Sequence, residues 1–245
     1  MTRTAMVTGA SRGIGRAIAG RLAAEGWDLL VSAREGPGLD DAVAALADSP
    51  AAGVRGLAAD MSNPADLEAL ARAQYDGRGE LDLLVLAAGV GSGGCIEGYP
   101  LNRLDLQFAV NVRAPFHLVS LLLPALRKAA ERNPEVGARI VAMSSITGQA
   151  AEPGLAAYGA TKAALTLLCE TITSEEGVNG VLATAIAPGY VDTDMAAWVH
   201  ESIPPDQMMK TSDIAELTLS LTRLSRWAAV PAIVMTRPGP NLHRA

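Results

Sequence analysis

Seven short apolar runs alternate with longer segments of helical periodicity along this chain, and that alternation restricts the architecture it can adopt. The runs lie at 5–8, 28–32, 54–59, 83–88, 139–143, 181–187 and 232–236. They read as continuously apolar rather than alternating, as strands buried on both faces do. Helices are expected between them at 14–25, 39–47, 64–74, 104–132, 157–175 and 213–223. In the first helix, Ile14, Ile18 and Leu22 make an i, i+4, i+8 stripe. Asn63-Pro64 reads as a cap followed by proline, and Ser212-Asp213 as an acidic first turn. Strands and helices in this order imply a parallel sheet covered by helices on both faces. Ligands in such sheets bind beyond the C-terminal strand ends. Two loop candidates follow strands there: a glycine-rich one at 89–94 and a proline-containing one at 192–210.

A chain of 245 residues can bury most of its apolar surface without a disulfide or metal staple. It shows no linker, repeat or low-complexity block, so residues 1–245 read as one domain. Cys95 and Cys169 support no disulfide framework; they read as small buried hydrophobes in a reducing compartment. The net charge of -6 argues against a nucleic-acid partner. No apolar run is expected to approach the roughly 20 residues that span a bilayer. The chain enters its first strand at once, without a signal-peptide pattern. The expectation is a cytoplasmic protein with neither nucleic-acid nor membrane partners.

Thr8-Gly9-Ala10-Ser11-Arg12-Gly13-Ile14-Gly15 joins the first strand to the first helix. Glycines there allow a tight turn and let a phosphate approach the backbone N–H groups of a helix N-terminus. Where an NAD site usually carries an acid for the ribose 2′-hydroxyl, the second strand ends in Ser32-Ala33-Arg34. With Arg12 in the glycine turn, Arg34 gives two guanidinium groups suited to a 2′-phosphate. NADP(H) is therefore expected in preference to NAD(H), unless both arginines are solvated surface charges. Asp60, followed by Met61, is either an acceptor for an adenine amino group or a turn residue before Asn63-Pro64.

Tyr158 and Lys162 are four residues apart and share one face of a helix; Ser145 lies thirteen residues before the tyrosine, after an apolar run. A phenol, an ammonium and a hydroxyl so arranged are equipped to deliver a proton to a carbonyl. A nearby ammonium is expected to lower the tyrosine pKa from its usual value near 10. His117, His200 and His243 have no partners that suggest a triad or a metal site, and His200 reads as a surface pair with Glu201.

Taken together, these pieces resemble the short-chain dehydrogenase/reductase family. The glycine turn at 8–15, Asp60, Ala87-Ala88-Gly89, Asn111, Ser145, Tyr158-Gly-Ala-Thr-Lys162 and Pro188-Gly-Tyr-Val-Asp-Thr193 follow the family's order and spacing over nearly the whole chain. The resemblance implies a single-domain Rossmann fold, a doubly wound parallel sheet of about seven strands with helices on both faces. It implies that Tyr158 is the acid/base, that Ser145 polarises the substrate oxygen, and that Lys162 holds the nicotinamide ribose and lowers the tyrosine pKa. Asn111 would complete a water-linked proton relay. Gly9, Ser11, Arg12, Gly13, Ile14, Gly15, Arg34, Asp60, Met61, Ala87, Ala88, Gly89, Asn111, Tyr158, Lys162, Pro188, Gly189, Val191 and Thr193 would line the cofactor site. Segment 192–210 would be a substrate lid made apolar by Met195, Trp198, Met208 and Met209.

Two departures from the family pattern stand out. Leu86-Ala87-Ala88-Gly89 lacks the asparagines usual at the fourth strand's end, which is expected to alter stability more than function. The chain also ends soon after Val230–Pro238, and its lid is short, which implies an open site. The helices at 104–132 and 157–175, the family's dimer helices, look normal, so a homodimer or homotetramer is expected. The leading function is reduction of a small-molecule ketone with NADPH, most like the 3-oxoacyl-carrier-protein reductase type. The alternatives are an NAD(P)-dependent alcohol, sugar or steroid dehydrogenase and a non-catalytic dinucleotide sensor.

Overall fold

A computed structural model of the chain describes residues 2–238; Gly239 and His243 lie outside them. Seven parallel strands form one sheet: β1 (Thr4–Thr8), β2 (Asp28–Ala33), β3 (Gly53–Ala58), β4 (Leu83–Leu86), β5 (Ala138–Met143), β6 (Val181–Pro188) and β7 (Ala232–Met235). Their order is β3-β2-β1-β4-β5-β6-β7, so the winding reverses between β1 and β4. Register is continuous there, with Val7 opposite Val31 on one side and Val85 on the other. The five inner strands are buried along their whole length, as their apolar runs require. The edge strands β3 and β7 are only half-buried.

Three helices cover each face. On one side lie α1 (Gly13–Ala24), α2 (Pro37–Ala47) and α7 (Thr211–Leu221), which pack Ile18, Leu22, Leu39, Ile214 and Leu219 onto Val7, Val31 and Val85. On the other, α3 (Pro64–Gly77), α5 (Ala114–Arg132) and α6 (Ala156–Glu176) bring Leu67, Leu118, Leu122 and Leu165 onto Met6, Leu84 and Ile140. The expected starts need small corrections. Asn63 does cap α3, its Oδ1 accepting from the Ala65 N–H at 3.2 Å. α7 begins at Thr211, two residues earlier than Asp213, because the Asp213 carboxylate reaches back to the Lys210 N–H at 3.0 Å.

The long helix expected at 104–132 is interrupted. It runs as α4 (Leu101–Phe108), a π-turn at Ala109–Arg113, and α5. The extra residue in a π-turn rotates the following face, and such turns mark functional positions. The combined segment, Leu101–Arg132, contains an 18-residue window of mean hydropathy 1.4, apolar enough by length and composition alone to cross a bilayer. Half of that window is buried inside the protein, so its apolar side packs against the sheet as a core helix does. Cys169 is buried in the same core, whereas Cys95 is exposed on a loop and is not the buried hydrophobe expected.

Candidate active site

The crevice lies where the strand order reverses. Gly9 leaves β1 with a φ of 71°, and a side chain there would bring a Cβ within 2.8 Å of the Ala88 backbone. A Cβ on Gly15 would stand 2.4 Å from the Gly9 carbonyl oxygen. Only glycine lets this turn fold against the exit of β4. The Arg12 side chain does not cap α1, and among the described residues no side-chain hydrogen bond is made to the first N–H groups of that helix. An uncapped helix N-terminus behind a glycine turn is the donor set that a pyrophosphate takes, so the residues present fit a dinucleotide. Ile14 packs into the core beneath the turn, and Ser11 lies beside Gly38 at the start of α2.

β4 ends at Leu86, two residues earlier than expected, and Ala87 and Ala88 leave the sheet. Thr8 compensates for the missing asparagines, its Oγ1 accepting from the N–H groups of Ala87 and Ala88, both at 3.2 Å. Sequence reasoning missed this threonine because its role depends on a neighbouring strand about eighty residues away. Asn111, in the π-turn, holds Val90, two residues beyond Ala88. Its Oδ1 accepts from the Val90 N–H at 2.9 Å, and its Nδ2 donates to the Val90 carbonyl at 2.8 Å. Nδ2 also donates to Thr161 Oγ1 at 3.0 Å. A Cβ on Gly89 would lie 3.4 Å from both Asn111 Oδ1 and Lys162 Nζ, so these two polar atoms flank one stretch of backbone.

Ser145 follows β5 and caps a short 3-10 turn, Ile146–Gly148; its Oγ accepts from Thr147 Oγ1 at 2.9 Å. Tyr158 and Lys162 stand on the first turns of α6, with Lys162 Nζ 5.4 Å from the centre of the tyrosine ring. Lys162 is buried, and its Nζ donates to the Met143 carbonyl at 2.7 Å. That burial lowers the ammonium to about 8. Tyr158 keeps some surface, but burial of its hydroxyl raises the phenol to about 12, and the hydrogen bond with Ser145 offsets this only in part. The lysine expected to lower the tyrosine pKa lies over the ring and gives a hydrogen bond to Met143, so burial sets the direction of the shift here. Ser144 is held apart, bonded to the Lys162 carbonyl at 2.9 Å and to Thr166.

On the far side of the crevice, Gly189 donates to the Met235 carbonyl at 2.9 Å as Pro188 ends β6. Val191 is buried and bridges to Met209. Thr193 faces the glycine turn, its Cγ2 3.4 Å from where a Gly13 Cβ would stand. The segment after it forms two 3-10 turns, Asp194–Val199 and Pro205–Gln207. Its apolar residues divide. Met208 is buried and Met209 half-buried, whereas Met195 and Trp198 are exposed. Trp198 meets Tyr190 edge-on at 5.9 Å. His200 is half-buried, its Nε2 without a partner among the described residues, and is not in a surface pair with Glu201.

The residues expected at the 2′-phosphate are less converged. Arg34 is exposed beyond β2. Arg12 pairs with Asp194 at 3.0 Å, across from the glycine turn. Ser32 is fully buried, so its hydroxyl does not reach a ribose there. Asp60 accepts from the Ser62 N–H and hydroxyl, both at 2.8 Å, which forms the turn reading of this residue. Those hydrogen bonds, with a smaller contribution from the Arg34 charge, hold its carboxyl below the usual range. The Met61 side chain is in the core, so only its backbone is available to a ligand.

The comparisons with known proteins agree with this geometry. The family model for short chain dehydrogenase matches residues 3–203. The chain is 34% identical to the D-beta-hydroxybutyrate dehydrogenase of Cupriavidus necator over 216 residues, 84% of this chain and 79% of that one. It is 32% identical to the rhamnolipids biosynthesis 3-oxoacyl-[acyl-carrier-protein] reductase of Pseudomonas aeruginosa over 231 residues, 89% of this chain and 88% of that one. The solved Pseudomonas aeruginosa RhlG/NADP active-site complex superposes with a TM-score of 0.86 at 30% identity, covering 98% of this chain and 96% of that one. A switch-point crevice with a glycine cradle, a Ser–Tyr–Lys group and a family match over most of the length leave one conclusion: the chain belongs to the short-chain dehydrogenase/reductase family of NAD(P)-dependent oxidoreductases, which interconvert hydroxyl and ketone groups.

Proposed function

We propose that this protein is an NADPH-dependent reductase that converts a small-molecule ketone to an alcohol, with Tyr158 as proton donor. The observation that carries this reading is the meeting of Ser145, Tyr158 and Lys162 beside the glycine cradle. At neutral pH the Tyr158 phenol holds its proton and is available to pass it to a carbonyl oxygen as hydride arrives. Tyr158 Oη donates that proton to the carbonyl oxygen. Ser145 Oγ, at the same hydroxyl, donates a hydrogen bond to the oxygen as negative charge grows on it. Lys162, an ammonium below about pH 8, stabilises the resulting phenolate and binds the nicotinamide ribose. Asn111 holds the 89–90 backbone beside Lys162 Nζ and lies on the route by which the proton is replaced. NADPH, when bound, supplies the hydride.

The cofactor would be held by Gly9, Ser11, Gly13 and Gly15 at its phosphates, by the backbone of Met61 and Ala87–Gly89, and by Pro188, Gly189, Val191 and Thr193 at the nicotinamide. Arg12 and Arg34 would take the 2′-phosphate. NADP in the RhlG complex supports this preference. Segment 192–210 is read as the substrate lid, with Met208 anchoring it. The 3-oxoacyl reductase among the relatives supports an acyl ketone as substrate, and the hydroxybutyrate dehydrogenase supports a hydroxy compound oxidised in reverse. Exposed Phe116 on α5 and Leu167 on α6 support a homodimer or homotetramer. Unpaired cysteines support a cytoplasmic location.

The test is a ketone panel assayed with NADPH and NADH against Tyr158→Phe. Loss of the hydroxyl is expected to lower kcat by about 100-fold or more. A variant that consumes NADPH at the wild-type rate rules out the proton-donor role.

A further inference from the structure

The mouth of the crevice holds a carboxylate whose hydrogen bonding is half complete. Glu152 lies in the loop between the Ser145 turn and α6, tied to that helix by the Leu155 N–H, which donates to the Glu152 carbonyl at 3.1 Å. One oxygen, Oε1, accepts from the Tyr190 hydroxyl at 3.1 Å. The other, Oε2, is buried and has no partner among the described residues. A buried acceptor on a charged group is costly to leave unpaired.

The position of this pair relates it to the chemistry. Tyr190 follows Pro188-Gly189 at the end of β6, and Glu152 follows Ser145 at the end of β5. β5 and β6 are paired neighbours, and Ser144 donates to the Ile186 carbonyl at 2.7 Å just beyond the sheet. The Glu152–Tyr190 hydrogen bond therefore joins the loop that runs from Ser145 to Tyr158 with the segment that follows Pro188-Gly189. Trp198 meets the Tyr190 ring edge-on at 5.9 Å. The Tyr190 phenol is raised to about 12 by burial and by the Glu152 charge, so it stays a donor and fixes Oε1. Oε2 is left as the free acceptor. The Arg237 charge also reaches Tyr190, but Arg237 forms no ion pair with Glu152 among the described residues.

Building on the carbonyl-reductase reading, we propose that Glu152 determines substrate specificity: its Oε2 accepts a hydrogen bond from an uncharged donor, a hydroxyl or amide N–H, a few bonds from the reacting carbonyl. A carboxylate in that place meets a like charge in a dry setting and is rejected. The substrate class is thus a neutral hydroxy ketone or an acyl thioester whose arm bears donors, and not a free 3-oxo acid.

Three ketones of similar size separate the outcomes: 4-hydroxy-2-butanone, acetoacetate and 2-pentanone, reduced with NADPH by wild type, Glu152→Gln and Tyr190→Phe. Wild type is expected to favour the hydroxy ketone over acetoacetate by about 100-fold in kcat/KM, in the range a buried unpaired polar group imposes. Glu152→Gln should shrink that ratio to below about 10-fold while 2-pentanone changes less than two-fold. Tyr190→Phe should lower the ratio less, because the carboxylate remains. A wild-type preference for acetoacetate, which would assign charge selection to Arg237, overturns the proposal, as does an unchanged ratio in Glu152→Gln. If no ketone is turned over, the carbonyl-reductase reading fails separately. The same ratio is then read from dissociation constants of the three compounds by tryptophan fluorescence, and equal affinities overturn the specificity role.

Discussion

Asn111 and Val90 exchange two hydrogen bonds, at 2.9 and 2.8 Å, so that one side chain in a π-turn clasps the backbone that leaves β4. A third bond, at 3.0 Å, links the same amide to Thr161 Oγ1, which itself donates to the Tyr158 carbonyl at 2.8 Å. The loop after β4 and the first turn of α6 are thus joined through one buried residue.

Asn111→Ala removes all three bonds and leaves the Val90 N–H and carbonyl without their partner. The expected cost is roughly 2–4 kcal/mol, read as a lower urea midpoint with an unchanged m-value. Reductase activity should fall along with it. A loss below about 0.5 kcal/mol would mean that the clasp is not structural.

Lys162→Met should stabilise the protein at neutral pH while removing activity. Burial lowers the folded lysine from 10.5 to about 8, which corresponds to about 3 kcal/mol of lost stability below pH 8. The lost bond to Met143 returns about 1 kcal/mol. Between pH 8 and 10.5 the unfolded lysine holds a proton that the folded one has released, so wild-type stability is regained as pH rises. The variant's advantage should therefore be largest at pH 7 and vanish by pH 10.5. Urea titrations at both pH values measure it, and a variant less stable than wild type at pH 7 contradicts the burial argument.

Asp194→Asn should release Arg12 from its 3.0 Å ion pair. Both side chains are largely exposed, so the pair contributes at most about 1 kcal/mol. The ratio of kcat/KM for NADPH over NADH is expected to rise by up to about five-fold. A falling ratio would show that Asp194 orients Arg12 towards the 2′-phosphate instead of drawing it away.

Phe116 and Leu167 are 62% and 63% exposed on α5 and α6, which flank the same core. Replacing both with glutamate puts charge on any interface that covers them. Light scattering is expected to show a smaller species with secondary structure retained. An unchanged mass would place the subunit contacts on another face.

The periodicity of the sequence was enough for the sheet: seven apolar runs became seven strands, because strands buried on both faces leave no other pattern. Tyr158–Lys162, Ser145 and the glycine turn were legible for a similar reason, since helical spacing and backbone sterics are local. What the sequence did not carry was every relationship across the sheet. Thr8 takes over for absent asparagines only because β1 and β4 are neighbours. The π-turn at Asn111 is invisible in an otherwise regular apolar helix. Asp60 could be read as a cofactor acceptor or as a turn residue, and only the structure shows Ser62 folded onto its Oδ1. The direction of the Tyr158 and Lys162 shifts depends on burial, which no spacing reveals. The sequence alone determined which chemistry-bearing residues are present and at which strand ends they emerge. Only the tertiary structure decided which polar atoms are already engaged, as Thr8 Oγ1 is by Ala87 and Ala88, and which are left open, as at Glu152, because hydrogen-bond competition is settled by neighbours distant in the chain.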